Sequence, residues 1–148
     1  MYRSPDQNQR DDVILILHEA LGDDYRRLSF RGILTSTHSS TKDTEICLRF
    51  NDNGEDKEAT VADGKGAVDG MYKALMKHYY DFSSIRNLKL KTIKIEVDLP
   101  NSDTGTDAMV AVDICFCNDR QCAFFTDTSY SFTASSCKCL LKAVEFFF

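Results

Sequence analysis

The feature that most constrains the fold of this chain is an internal repeat. The order strand, strand, strand, helix runs twice along the 148 residues, at an offset of about 65. In the first copy, residues 28–37 (LSFRGILTST) are rich in β-branched and apolar side chains. Residues 44–50 alternate, which sets Ile46, Leu48 and Phe50 on one face of a strand and Glu45, Cys47 and Arg49 on the other. Asn51-Asp52-Asn53-Gly54 is a strong turn signal, and residues 57–62 return as a third strand. After Asp63-Gly64-Lys65-Gly66 the apolar period changes to that of a helix. Val68, Met71, Tyr72, Leu75, Met76 and Tyr79 form one continuous stripe.

The second copy follows the same plan. In residues 88–99, Ile93, Ile95, Val97 and Leu99 alternate with Lys94, Glu96 and Asp98. A polar loop at 100–105 leads to residues 108–117, with Val110, Val112, Ile114 and Phe116 on one face. Asn118-Asp119 marks a turn, residues 121–126 supply the third strand, and a helix over about 133–147 presents Cys137, Leu140, Leu141 and Val144. Lys73-Ala74-Leu75 falls on Lys138-Cys139-Leu140, and Ile46, Leu48 and Phe50 fall on Val112, Ile114 and Phe116 with one extra step. A three-stranded layer buries only one face and needs its helix as cover. The expected fold is therefore α+β, two βββα repeats forming an antiparallel β-sheet layer covered by helices. A second chain is the simplest cover for whatever face remains, so a homodimer is expected.

An extra N-terminal helix is expected over 11–21, where Val13, Ile14, Leu17, Ala20 and Leu21 fall at helical spacing. Asp11 and Asp12 suit its positive end and Gly22 its stop. The reading divides the chain into a tail and helix at 1–27, a possible linker remnant, and a repeated domain at 28–148.

Composition bounds the function. A domain of this length can bury roughly 70% of its unfolded surface without a metal or disulfide staple. The longest apolar run near the N-terminus, residues 13–17, is too short to span a bilayer and lacks a signal-peptide pattern, so a cytoplasmic protein off the membrane is expected. The net charge of −5 argues against a nucleic acid partner. Lys89, Lys91 and Lys94 read as the solvent face of a strand. The helix, three strands and helix of residues 11–80 share the element order of a double-stranded RNA binder, but the second helix offers only Lys73 and Lys77.

The six cysteines, Cys47, Cys115, Cys117, Cys122, Cys137 and Cys139, include two C-x-C pairs with no histidine nearby. They read as reduced, small apolar residues, with no metal site and no cofactor. No Ser/His/Asp or Cys/His grouping has support in the spacing, so no catalytic residues are expected.

One motif carries chemistry. Asp63-Gly64-Lys65-Gly66 feeds directly into a helix, whose first N–H groups are unpaired and sit at the positive end of the dipole. Glycines there let a small anion, a carboxylate or phosphate, approach the backbone. The bland alternative is a tight strand-to-helix connection.

The stretch 59–75 (ATVADGKGAVDGMYKAL) resembles the segment around the G-x-G-P-V-D-A motif in the C-terminal regulatory domain of 2-isopropylmalate synthases and citramalate synthases. Gly105-Thr106-Asp107-Ala108 and residues 133–144 (TASSCKCLLKAV) resemble the element before that family's fifth strand and its closing helix. The resemblance runs from about Leu28 to the end of the chain. It implies an allosteric dimerisation domain that binds leucine or isoleucine as feedback inhibitor of a catalytic barrel condensing acetyl-CoA with a 2-oxo acid. This chain would then be a regulatory fragment or a stand-alone relative, with the barrel separate or deleted.

Carried over by position, Gly64, Lys65, Gly66 and Ala67 match the turn whose amides would meet the ligand carboxylate. Val68 and Asp69 open the helix beside it, with Val68 against the aliphatic side chain. Tyr72, with Leu88 or Leu90, would wall an apolar pocket, although each of these apolar residues also suits plain core packing. Three positions depart from the pattern: Ala67 stands for Pro, Gly70 for Ala, and Tyr130-Ser131 for Asp-Ile. The competing expectation is a dimerisation or protein-interaction module that has lost amino-acid binding.

Overall fold

The computed structural model describes residues 27–98 and 108–148. The expected helix at 11–21, the loop at 100–105 and the first three residues of Gly105-Thr106-Asp107-Ala108 lie outside the described residues. Six strands and three helices follow in the order β1 (Leu28–Thr37), β2 (Thr44–Asp52), β3 (Glu55–Gly64), α1 (Ala67–His78), α2 (Ser83–Arg86), β4 (Lys89–Asp98), β5 (Met109–Cys117), β6 (Cys122–Ser129) and α3 (Phe132–Phe147). The doubled βββα plan is thus present. The one-turn helix α2 between the repeats is an addition that the apolar period does not signal.

The strands divide into two antiparallel three-stranded sheets, β1-β2-β3 and β4-β5-β6, rather than one continuous layer. Each unit is a meander of hairpins whose own helix then turns back over it. The path from β3 to β4 passes through α1 and α2, so β4 begins a new sheet. The β2–β3 hairpin closes on Asp52 opposite Glu55. Its two loop residues, Asn53 and Gly54, both have positive φ (51° and 91°), the backbone that a two-residue hairpin turn requires and that Asn-Gly adopts readily. Both units break register in the same place. Pairing shifts between Phe30 and Gly32 in β1, and between Leu90 and Thr92 in β4.

The core lies where the alternation predicts. Ile46, Leu48 and Phe50 of β2 and Val112, Ile114 and Phe116 of β5 are buried, as are Met71, Ala74 and Leu75 of α1 and Leu140, Leu141 and Val144 of α3. Helix α1 packs on β2 and β3, and α3 packs on β5 and β6. α3 also crosses to β1 of the first unit and touches α1, which ties the two repeats together. The Glu145 carboxylate accepts from Leu28 N–H at 3.1 Å across the same boundary. The buried Tyr79 hydroxyl donates to Asp52 Oδ2 at 2.8 Å, fastening the end of α1 to the end of β2.

One expectation is overturned. The cysteines are not all separate reduced thiols, because Cys117 and Cys122 are joined in a disulfide. They are register partners across the β5–β6 hairpin, so the turn at Asn118-Asp119 brings their side chains together. The C-x₄-C spacing around that turn carried the signal. Cys115, Cys137 and Cys139 are buried free thiols, and Cys47 is half-buried.

The two units differ where strand meets helix. At the end of β3, a Cβ added to Gly64 would stand 2.6 Å from Gly70 Cα and 3.0 Å from Thr44 O. A Cβ added to Gly70 would stand 2.5 Å from Ile46 Cγ1. Glycine at 70 is therefore demanded by the close approach of α1 to β2 and β3, although it weakens the helix by about 0.8–1.0 kcal/mol. The positions 65 residues later are Ser129 and Ser135, and their hydroxyls hydrogen-bond to each other at 2.6 Å. Gly64→Ala and Gly70→Ala are each expected to lower stability, by about 1–3 kcal/mol as overpacking does. Gly64→Ala is the worse because backbone must move. Urea unfolding measures both, and a stabilised Gly70→Ala would contradict the packing argument.

Candidate functional site

The turn between β3 and α1 brings together most of the residues singled out in the sequence. Gly66 occupies the N-cap position with φ 98°, which favours glycine, and among the described residues no side chain caps the helix. The first-turn amides of α1 thus have no capping side chain among the described residues, at the positive end of a twelve-residue helix. The contrast with α3 is direct. There Ser131 accepts from Ala134 N–H through its own Oγ at 3.2 Å, so the second turn satisfies itself.

Charges around the first turn are paired. The Asp69 carboxylate accepts from Lys65 N–H at 2.7 Å and faces Lys73 Nζ at 2.9 Å. Lys65 Nζ pairs with Asp43, and Lys73 Nζ also donates to Asp63 O at 3.2 Å. Partial burial would raise the Asp69 pKa, but the Lys65 N–H and the Lys73 ammonium outweigh it and hold the carboxyl below its usual value.

The apolar residues carried over for the pocket wall lie against the core. Val68, Tyr72 and Leu90 are half-buried and pack against the core. Tyr72 and Leu88 meet, through a hydrogen bond: the Tyr72 hydroxyl donates to Leu88 O at 2.6 Å. Burial, and secondarily the Asp69 carboxylate, push the Tyr72 pKa up, which keeps the phenol protonated as a donor. Leu88 itself is fully buried in the core, so its backbone rather than its side chain reaches toward Tyr72. Sequence reasoning missed this link between α1 and the start of the second unit, for periodicity does not reveal a hydroxyl-to-carbonyl contact.

The thiols on α3 do not form a reactive centre. Burial drives the Cys137 pKa far upward and pushes Cys139 up to about 11, so both stay protonated at neutral pH. Cys139 Sγ instead donates to Val112 O at 3.6 Å. Among the described residues no helix is long and apolar enough to cross a membrane.

The lowered pKa of Asp69 gives a pH prediction. Its contribution to stability is fully present above the ordinary value of 3.8 and is lost as pH falls through the lower, folded-state value. Asp69→Asn should therefore cost stability at pH 7, and the gap to the parent should narrow on acidification below about pH 4. Chemical unfolding of both proteins across that range measures it, and a gap independent of pH would refute the pairing.

The model of the LeuA allosteric (dimerisation) domain matches residues 8–148. None of the curated proteins compared with the chain matches it. The match covers both βββα units and the turn between β3 and α1, and it indicates a regulatory, dimerising role. The chain belongs to the family of LeuA allosteric (dimerisation) domains.

Proposed function

We propose that this domain binds a branched-chain amino acid, leucine or isoleucine, at the amino end of α1 and acts as a feedback-responsive regulatory dimer. The observation that carries the reading is the uncapped, glycine-opened start of α1, set beside a self-capped start of α3. In this reading the ligand carboxylate meets the amides of residues 66–69, and Asp69 offers a counter-charge for the ammonium. Val68, with Tyr72 and Leu90 behind it, forms the apolar side. The Tyr72–Leu88 hydrogen bond would carry a shift of α1 into β4 and so into the second unit. The regulated activity would be a 2-isopropylmalate or citramalate synthase barrel, in the same polypeptide or separate, condensing acetyl-CoA with a 2-oxo acid.

The dimer has its own support. Because α3 covers β1 while α1 lies on β2 and β3, the apolar row of β4 lacks an equivalent cover from α1. Ile93, Ile95 and Val97 of that row are 37%, 45% and 57% exposed. A second copy placed over this row would hide it. A second reading, a pairing module that no longer binds amino acids, draws support from Asp69 already holding the Lys65 N–H.

Thermal melting with leucine, isoleucine and valine separates the two. At about 100-fold excess over its dissociation constant a true ligand adds roughly 2.7 kcal/mol, a shift of several degrees. Leucine or isoleucine should produce it, and no shift with any of the three would leave the pairing module. Sedimentation checks the dimer: Ile95→Asp should shift the equilibrium toward monomer, and an unchanged dimer would remove β4 from the interface.

A further inference from the structure

The end of the β5–β6 hairpin carries a cluster that the regulatory reading does not use. Cys115 and Cys117 lie two apart on β5 and so share one face of the strand, and Cys122 on β6 is the register partner of Cys117. The three sulfur atoms all lie within 4.8 Å of one another. Their arrangement is locked by what lies between them. Phe116 is fully buried and packs against Phe125 at 6.3 Å, and a one-residue slip of β5 would expel it from the core. The turn is equally fixed, because Asn118 Oδ1 accepts from both Arg120 N–H and Gln121 N–H. Cys115 and Cys117 are buried and Cys122 is exposed, which gives the cluster a floor and an open side.

We propose that these three cysteines form a site for one thiophilic d¹⁰ ion, Zn²⁺ or Cu⁺, available when the Cys117–Cys122 disulfide is reduced. Thiolate sulfur suits these ions, and Zn–S bonds of about 2.3 Å require sulfurs roughly 3.8 Å apart, a spacing that Cys117 and Cys122 reach by separating once their bond is reduced. Two equivalents of a small thiol would supply two electrons and two protons to the disulfide, leaving two protein thiols and one small-molecule disulfide. A divalent ion would then displace three protons from Cys115, Cys117 and Cys122 to give a tris-thiolate with one net negative charge, water filling a fourth position on zinc. Lys89, the β4 register partner of Cys117, and Arg120 in the turn supply nearby positive charge. Cross-linking and metal binding exclude each other, since the disulfide consumes two of the three ligands.

The test uses the full chain, reduced with a phosphine and titrated separately with Cu⁺ and with Co²⁺ as a spectroscopic substitute for zinc. One ion per chain is expected, with a thiolate-to-metal charge-transfer band. Cys115→Ser, Cys117→Ser and Cys122→Ser should each weaken binding by at least about 10–100-fold, no less than loss of an outer-shell partner does. Cys47→Ser should leave it unchanged. Should a variant fold poorly, alkylation of the parent chain gives the same answer: metal should protect Cys115, Cys117 and Cys122 but not Cys47. A Cys115→Ser variant with parental affinity, a reduced chain that shows no band, or equal protection of Cys47 would each overturn the proposal.

Discussion

The close contact between the end of β3 and the first turns of α1 governs much of this domain. Gly64 and Gly70 meet backbone to backbone, with Ile46 of β2 pressed against the same point. No side chain fits there, so the chain must leave the strand and enter the helix within Lys65 and Gly66. The second unit solves the same junction with Ser129 and Ser135 hydrogen-bonded to each other and Ser131 capping the helix. A repeat that preserves the fold has thus diverged at its most crowded joint. The first joint leaves its helix start without a side-chain cap, and the second caps Ala134 N–H with Ser131.

That divergence leaves one of the two unit helices without a side-chain cap in each chain. The amino end of α1 lacks a side-chain cap and carries a paired carboxylate and half-buried apolar residues, while at the amino end of α3 the Ser129, Ser131 and Ser135 hydroxyls are engaged. Both helices nevertheless remain coupled. α3 spans its own sheet and β1, and Tyr72 of α1 holds the first residues leading into β4. A ligand that moves the start of α1 would act on both units through packed elements, which is what an allosteric domain requires.

Much of this was legible from the residues. Strand alternation in 44–50 and 108–117 identified Ile46, Leu48, Phe50, Val112, Ile114 and Phe116 as core, and the Met71–Leu75–Tyr79 stripe located the buried face of α1. These signals are local and periodic. What remained hidden depends on tertiary contact. The split into two sheets follows from where the helices cross over, and Gly70 gains its meaning from Ile46, far away in sequence. The Cys117–Cys122 bond required the hairpin register to be combined with cysteine spacing. The resemblance implied Leu88 or Leu90 as a pocket wall; Leu88 lies fully buried in the shared core, and its carbonyl accepts from the Tyr72 hydroxyl, a contact that no periodic pattern announces.

The central claim is that the two repeats are unequal, with one open amide turn for each chain. Calorimetric titration of the intact chain with leucine and isoleucine counts such sites directly. The account predicts saturation at one amino acid per chain, abolished by closing the turn with Gly66→Val, whose side chain is incompatible with φ 98°. Two equivalent sites per chain, or undiminished binding to a folded Gly66→Val variant, would contradict it.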